Sequence, residues 1–290
     1  MEQQNAPSHK KILLWIQVGL GALLLVLIVL IAVLAAGSVS SGETTGTTQP
    51  STAAATAETT VQTEPPLPTS PFGYNDFQYD GDYLTCLTQE SVLGIDVSIF
   101  QGIIDWRSVK EAGVDFAIIR VGGRGYGTEG KLYADDNAQM NYEGARAAGI
   151  RVGAYFFSQA ITEAEAREEA AYILEQTAHW EMDMPIVYDW EYISEEARTA
   201  NLDPRTLTEC TRAFCEAVEQ AGREAMIYFN PEQSHKQFYI EELGDYRFWL
   251  AMYADRMLYP HRVDMWQYTN EGSVPGIEGN VDINLYFPNA

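Results

Sequence analysis

From Leu93 onward the chain alternates short, near-continuous apolar segments of β type with segments of helical type. The β-type segments fall at 93–97, 116–121, 152–157, 185–191, 225–229, 248–253, 264–268 and 281–287. Helical segments fall between the early ones, at 106–112, 135–148, 162–180, 204–222 and 231–240, and then thin out. Strands that are apolar throughout, with helices between them, build a parallel sheet whose faces are covered. Eight such strands within about 200 residues favour a closed barrel over an open, doubly wound sheet. The expected fold is α/β: a modified TIM-like barrel of eight strands and about five helices, with its chemistry at the C-terminal strand ends.

Local signals support these boundaries. Asp105 caps the first helix, Thr162-Glu163-Ala164-Glu165 reads as a capping box, and Pro204 follows Asp203 at a first-turn position. Gly149 and Gly222 stand where helices stop. Gly122-Gly123-Arg124-Gly125 reads as a turn after the second strand.

The segment before the barrel has a different character. Residues 12–36 contain no charged side chain, long enough to cross a hydrocarbon core as a helix. Lys10 and Lys11 precede the run, and no Lys or Arg recurs until Arg107. The positive-inside rule then leaves 1–11 as a short cytoplasmic tail and puts the rest of the chain outside the cell. Residues 37–70, rich in Ser, Thr, Ala and Pro, read as a disordered linker. Residues 71–90 carry Phe72, Tyr74, Phe77, Tyr79 and Tyr83, and form either a strap on the barrel or part of that linker. The catalytic domain is expected at 91–290.

The net charge is −23. Setting aside Lys10, Lys11 and the eight acids before Ser91, 16 basic residues face 33 acidic ones. Such a surface excludes nucleic acid as a partner and suits a polymer held by shape and stacking. Cys86, Cys210 and Cys215 are too few for a disulfide framework and read as small core residues, with a bridge from Cys86 left open.

Candidate chemistry lies in Pro185-Ile186-Val187-Tyr188-Asp189-Trp190-Glu191. On a strand, residues i and i+2 share a face, so Asp189 and Glu191 project together, roughly 6.6 Å apart along the backbone. Asp96 takes a similar place in Gly94-Ile95-Asp96-Val97-Ser98, and Asp282 in Val281-Asp282-Ile283-Asn284. Closure makes the first and last strands neighbours. Four carboxylates would then rim one mouth, where repulsion and burial raise the pKa of one enough for general-acid work.

These motifs, with Gln101-Gly102-Ile103-Ile104-Asp105-Trp106, Ala117-Ile118-Ile119-Arg120, Ala147-Ala148-Gly149-Ile150 and Met265-Trp266-Gln267-Tyr268, resemble glycoside hydrolase family 25 in order and content. The resemblance spans roughly 93–287. It implies a lysozyme-type muramidase cleaving the β-1,4 bond between N-acetylmuramic acid and N-acetylglucosamine, with no cofactor and no metal. By position, Glu191 is the implied general acid and Asp189 the group that orients the substrate's 2-acetamido substituent. Asp96 and Asp282 are implied to give electrostatic support, and a one-step inversion with water activated by either stays open.

Tyr155 and Phe157 share one strand face, as do Trp266 and Tyr268; Tyr126, Tyr228 and Tyr253 fall near strand ends or loops. Their rings suit pyranose faces, and Gln267 suits an acetamido group. Arg124 would meet a substrate carboxylate or else be solvated. The combined expectation is a membrane-anchored, extracellular peptidoglycan hydrolase of a Gram-positive bacterium, with glycan strands as its partner. Its alternatives are a catalytically silent wall-glycan-binding module and a hydrolase of chitin-like polymers.

Overall fold

The computed structural model describes residues 66–289. The expected membrane span at 12–36 and most of the linker lie outside them. Among the described residues no helix is long and apolar enough to cross a membrane.

A two-stranded hairpin, β1 (Phe77–Asp80) and β2 (Tyr83–Cys86), comes first. Then follow β3 (Val92–Val97), α1 (Trp106–Glu111), β4 (Phe116–Arg124), β5 (Leu132–Ala134), α2 (Ala138–Ala147), β6 (Arg151–Ser158), α3 (Glu163–Gln176) and β7 (Ile186–Trp190). The chain ends with α4 (Pro204–Gln220), β8 (Ala225–Phe229), α5 (Pro231–Lys236), β9 (Arg247–Ala251), β10 (Met265–Gly272) and β11 (Val281–Tyr286). Strands β3, β4, β6, β7, β8, β9, β10 and β11 are hydrogen-bonded in that order, and β11 returns to β3. This is the expected eight-stranded closed barrel with five helices.

One departure from a fully parallel sheet matters for the site. β11 runs antiparallel to both β10 and β3. Its N-terminal end therefore lies at the same mouth as the C-terminal ends of the other strands, and Asp282 stands directly across from Asp96.

Period-two alternation sorts the side chains into two apolar layers. Phe116, Ile118, Val187, Met226, Trp249 and Met265 fill the barrel interior. Ile95, Ile119, Tyr188, Ile227 and Trp266 point outward and are buried with Phe214 and Val218 of α4. Helix starts follow the sequence: Asp105, Thr162, Asp203 and Asn230 each accept a backbone N–H in the first turn. The expected capping box at Thr162 is only half made, because Glu165 accepts from the Ile161 N–H instead.

One other expectation is corrected. Gly122 and Gly123 continue β4 rather than turning, and β5 lies against them. A Cβ on Gly122 would come within 2.2 Å of the Tyr133 carbonyl oxygen, and one on Gly123 within 2.5 Å of the Tyr133 hydroxyl. The glycines make room for a neighbouring strand. Residues 71–90 dock as a strap: the Phe77 ring lies 5.0 Å from Trp266 and 5.1 Å from Phe72, and the Leu84 N–H donates to the Tyr268 hydroxyl at 3.4 Å.

Candidate active site

A cavity of about 240 Å³ opens at the mouth where these strands end. Asp96, Asp189, Glu191 and Asp282 all line it, so the four acids expected from sequence share one site. Asp189 sits on the interior face of β7, and Glu191 follows on the same face just past the strand.

Asp96 is the most firmly held of the four. Its Oδ2 accepts from Gln267 Nε2 at 2.9 Å and Asn284 Nδ2 at 2.8 Å. Gln267 Oε1 in turn accepts from the Tyr228 and Tyr253 hydroxyls at 3.0 and 3.2 Å. Asn284 Oδ1 accepts from Trp249 Nε1 at 2.8 Å. Every proton in this network points toward Asp96, which fixes both amides and presents Asp96 as an acceptor.

Burial and crowding raise all four carboxyl groups. Asp96 is pushed well above the usual carboxylate range by burial and then by Asp282, against the pull of its two amide donors. Burial also lifts Asp189 well above that range, aided by Glu191 and Asp96 and opposed by Arg120. Glu191 is raised by burial and then by Asp282, and burial takes Asp282 to about 6. Four charges cannot coexist in this volume near neutrality, so the cluster retains protons.

Among the candidate sugar contacts, Tyr155, Tyr228, Tyr253 and Gln267 line the cavity. Trp266 and Tyr268 do not. Gln267 points inward, so its two neighbours on β10 must point outward, where Trp266 donates to the Met252 carbonyl and both are buried beside the strap. Phe157 and Tyr126 also lie off the cavity lining, Tyr126 being exposed on a loop. Arg124 faces no substrate: it is buried, 2.7 Å from both Glu168 and Glu169. Cys86, Cys210 and Cys215 are buried free thiols.

Several lining residues were not foreseen: Phe100, Arg120, Trp249 and Asn270. Arg120 Nε contacts Asp135 Oδ2 at 2.8 Å, and its guanidinium lies 4.9 Å from the centre of the Phe100 ring. Asp135 Oδ2 also accepts the Ile99 N–H, drawing this residue out of the helix expected to begin there. Phe100 itself is 82% exposed. Arg120 shares the interior face of β4 with Phe116 and Ile118, and an arginine on that apolar face was the signal available in the sequence.

The family profile of glycosyl hydrolases family 25 matches residues 95–277. The chain belongs to this family. Lysozyme M1 of Streptomyces globisporus is 30% identical to the enzyme over 211 residues, 67% of each chain. A bacterial lysozyme of Streptomyces coelicolor superposes with a TM-score of 0.55 at 28% identity, over 69% of this enzyme and 94% of that chain. The modular autolysin LytC of Streptococcus pneumoniae gives a TM-score of 0.60 at 24% identity, and the enzyme spans 47% of its length. The enzyme is thus a glycoside hydrolase, built on the barrel that these proteins share.

Proposed function

We propose that the enzyme is an N-acetylmuramidase that cleaves the β-1,4 bond between N-acetylmuramic acid and N-acetylglucosamine in peptidoglycan, with assistance from the substrate's own acetamido group. Family membership and the lysozyme relatives support peptidoglycan hydrolysis. The observation that carries the finer reading is Asp189: its Oδ1 is buried in the acid cluster and, among the described residues, has no hydrogen-bond partner. A buried acceptor left unpaired is costly. An acetamido N–H arriving beside it supplies the missing donor.

In this scheme Glu191 gives its proton to the glycosidic oxygen as the C–O bond breaks. The acetamido carbonyl oxygen attacks the anomeric carbon, forming a cyclic oxazolinium whose N–H is held by Asp189. Water then opens the ring at the same carbon and returns a proton to Glu191, with net retention. Asp282 keeps the Glu191 proton in place by its charge. Tyr155, Tyr228 and the exposed Phe100 offer ring faces for the sugars.

Glu191→Gln removes the proton at little cost in volume and is expected to lower kcat on purified peptidoglycan by about 10²- to 10⁴-fold. Muropeptides with new reducing muramic acid ends, read by mass spectrometry, check the bond cleaved. New reducing glucosamine ends instead would overturn the assignment.

The uncharged run at 12–36, preceded by Lys10 and Lys11, supports a single membrane span with a cytoplasmic N-terminus and the barrel outside a Gram-positive cell. Protease added to intact cells should then remove the barrel. Protection until lysis would reverse the orientation.

A further inference from the structure

Glu191 lies just beyond the pairing that holds β7. The β7–β8 ladder ends at Asp189 opposite Tyr228, and the β6–β7 ladder ends at Trp190 opposite Ser158. Past these points two side-chain amides take over. On the β8 side, Gln233 Nε2 donates to the Trp190 carbonyl at 2.9 Å. Toward β6, Gln159 Nε2 donates to the Glu191 carbonyl at 3.1 Å. Successive carbonyls of a strand point to opposite sides, so the two amides prolong the ladder by one step on each flank.

Both glutamines are buried, and the other end of each amide is already engaged. Gln159 Oε1 accepts the Thr199 hydroxyl at 2.7 Å. Gln233 Oε1 accepts the Asn230 N–H at 2.7 Å, within the capping box that starts α5. Neither amide can flip without losing a buried bond, so each presents N–H to the carbonyl it holds.

We infer that Gln159 and Gln233 are positioning residues that clamp the backbone on either side of the Glu191 side chain, holding its carboxyl group against the leaving oxygen. The inference rests on Glu191 being the proton donor. A misplacement of about 1 Å at such a group costs on the order of 10²-fold in rate. Loss of aim harms a poor leaving group, which needs the proton, far more than a good one.

Gln159→Met and Gln233→Met keep side-chain length and remove the donor. Each is compared with the unaltered chain on peptidoglycan and on a 4-nitrophenyl β-glycoside of the muramic acid-containing disaccharide, by kcat/KM, which reports steps up to bond cleavage. We expect about a 10- to 100-fold loss on peptidoglycan and less than about threefold on the aryl glycoside. Glu191→Gln, run alongside, should show the same selectivity more strongly. Equal losses on both substrates, or none, while Glu191→Gln stays selective, would overturn the clamp alone. A Glu191→Gln variant that fails to discriminate would sink the acid assignment and the clamp together. Should a methionine variant fail to fold, Thr199→Val frees the Gln159 amide and keeps its donor. A smaller but still selective loss is then expected, and an unchanged ratio counts against the clamp.

Discussion

Arg124→Met should turn a well-folded barrel into one whose stability depends steeply on pH. Arg124 is locked to Glu169 at 2.7 Å, with the two side chains 5% and 0% exposed, and it also donates to the Gly130 and Glu165 carbonyls. Burial pushes the Glu169 carboxyl up to about 7 although Arg124, Ser158 and the Gln159 N–H all pull it down. A carboxyl whose folded pKa lies above its unfolded value binds an extra proton in the folded state between the two, so stability falls as pH rises through that window. In the native chain the window closes near 7. Without Arg124 it extends upward, at about 1.4 kcal/mol per pH unit. Removing one partner of a buried ion pair costs about 3–5 kcal/mol, and that full loss is expected near pH 9, with less than about half of it near pH 5. Urea unfolding across this range measures it. Adding Glu169→Gln should restore much of the stability at high pH by removing the stranded charge. A loss of the same size at both ends of the range, or no rescue by the second substitution, would refute the reasoning.

Other outcomes follow from the same structure. Asp282→Asn removes a charge that raises Glu191; the alkaline limb of the kcat/KM profile should move to lower pH, because the acid then loses its proton earlier. Phe77→Ala empties the contact between strap and barrel and should cost about 3–5 kcal/mol in chemical unfolding, with far less effect on kcat. Burial takes the Cys210 thiol up to about 12 and Cys215 well above its ordinary value, so neither should react with a thiol reagent near pH 8 until the chain is unfolded.

The order of strands and the four acids were legible because apolar runs and charged residues at their ends carry strong local signals. Facing was harder to read. Met265-Trp266-Gln267-Tyr268 offers aromatic or apolar groups to both sides, and only the hydrogen bonds of Gln267 to Asp96 and Tyr228 decide which side is inward. Trp249, buried inside the barrel, takes the place in the site that Trp266 was expected to fill. The strap's outcome rested on contacts between residues nearly two hundred positions apart, such as Leu84 with Tyr268, which no local pattern contains. Arg124 lay in what looked like an exposed turn, and Glu169, its counter-charge, sat unnoticed in a helix rich in acids.

The closing strand also sets a timetable. Asn284 reaches Asp96 across 188 positions of chain, and Asp282 joins the mouth only when β11 docks between β10 and β3. Contacts this remote in sequence form late, after the loop between them has been closed at an entropic cost. A nascent chain can carry Asp96, Asp189 and Glu191 and still have no fourth acid, no amide brace on Asp96 and a barrel open along one seam. A bond-breaking centre that is complete only once β11 has docked is silent for as long as that strand is missing.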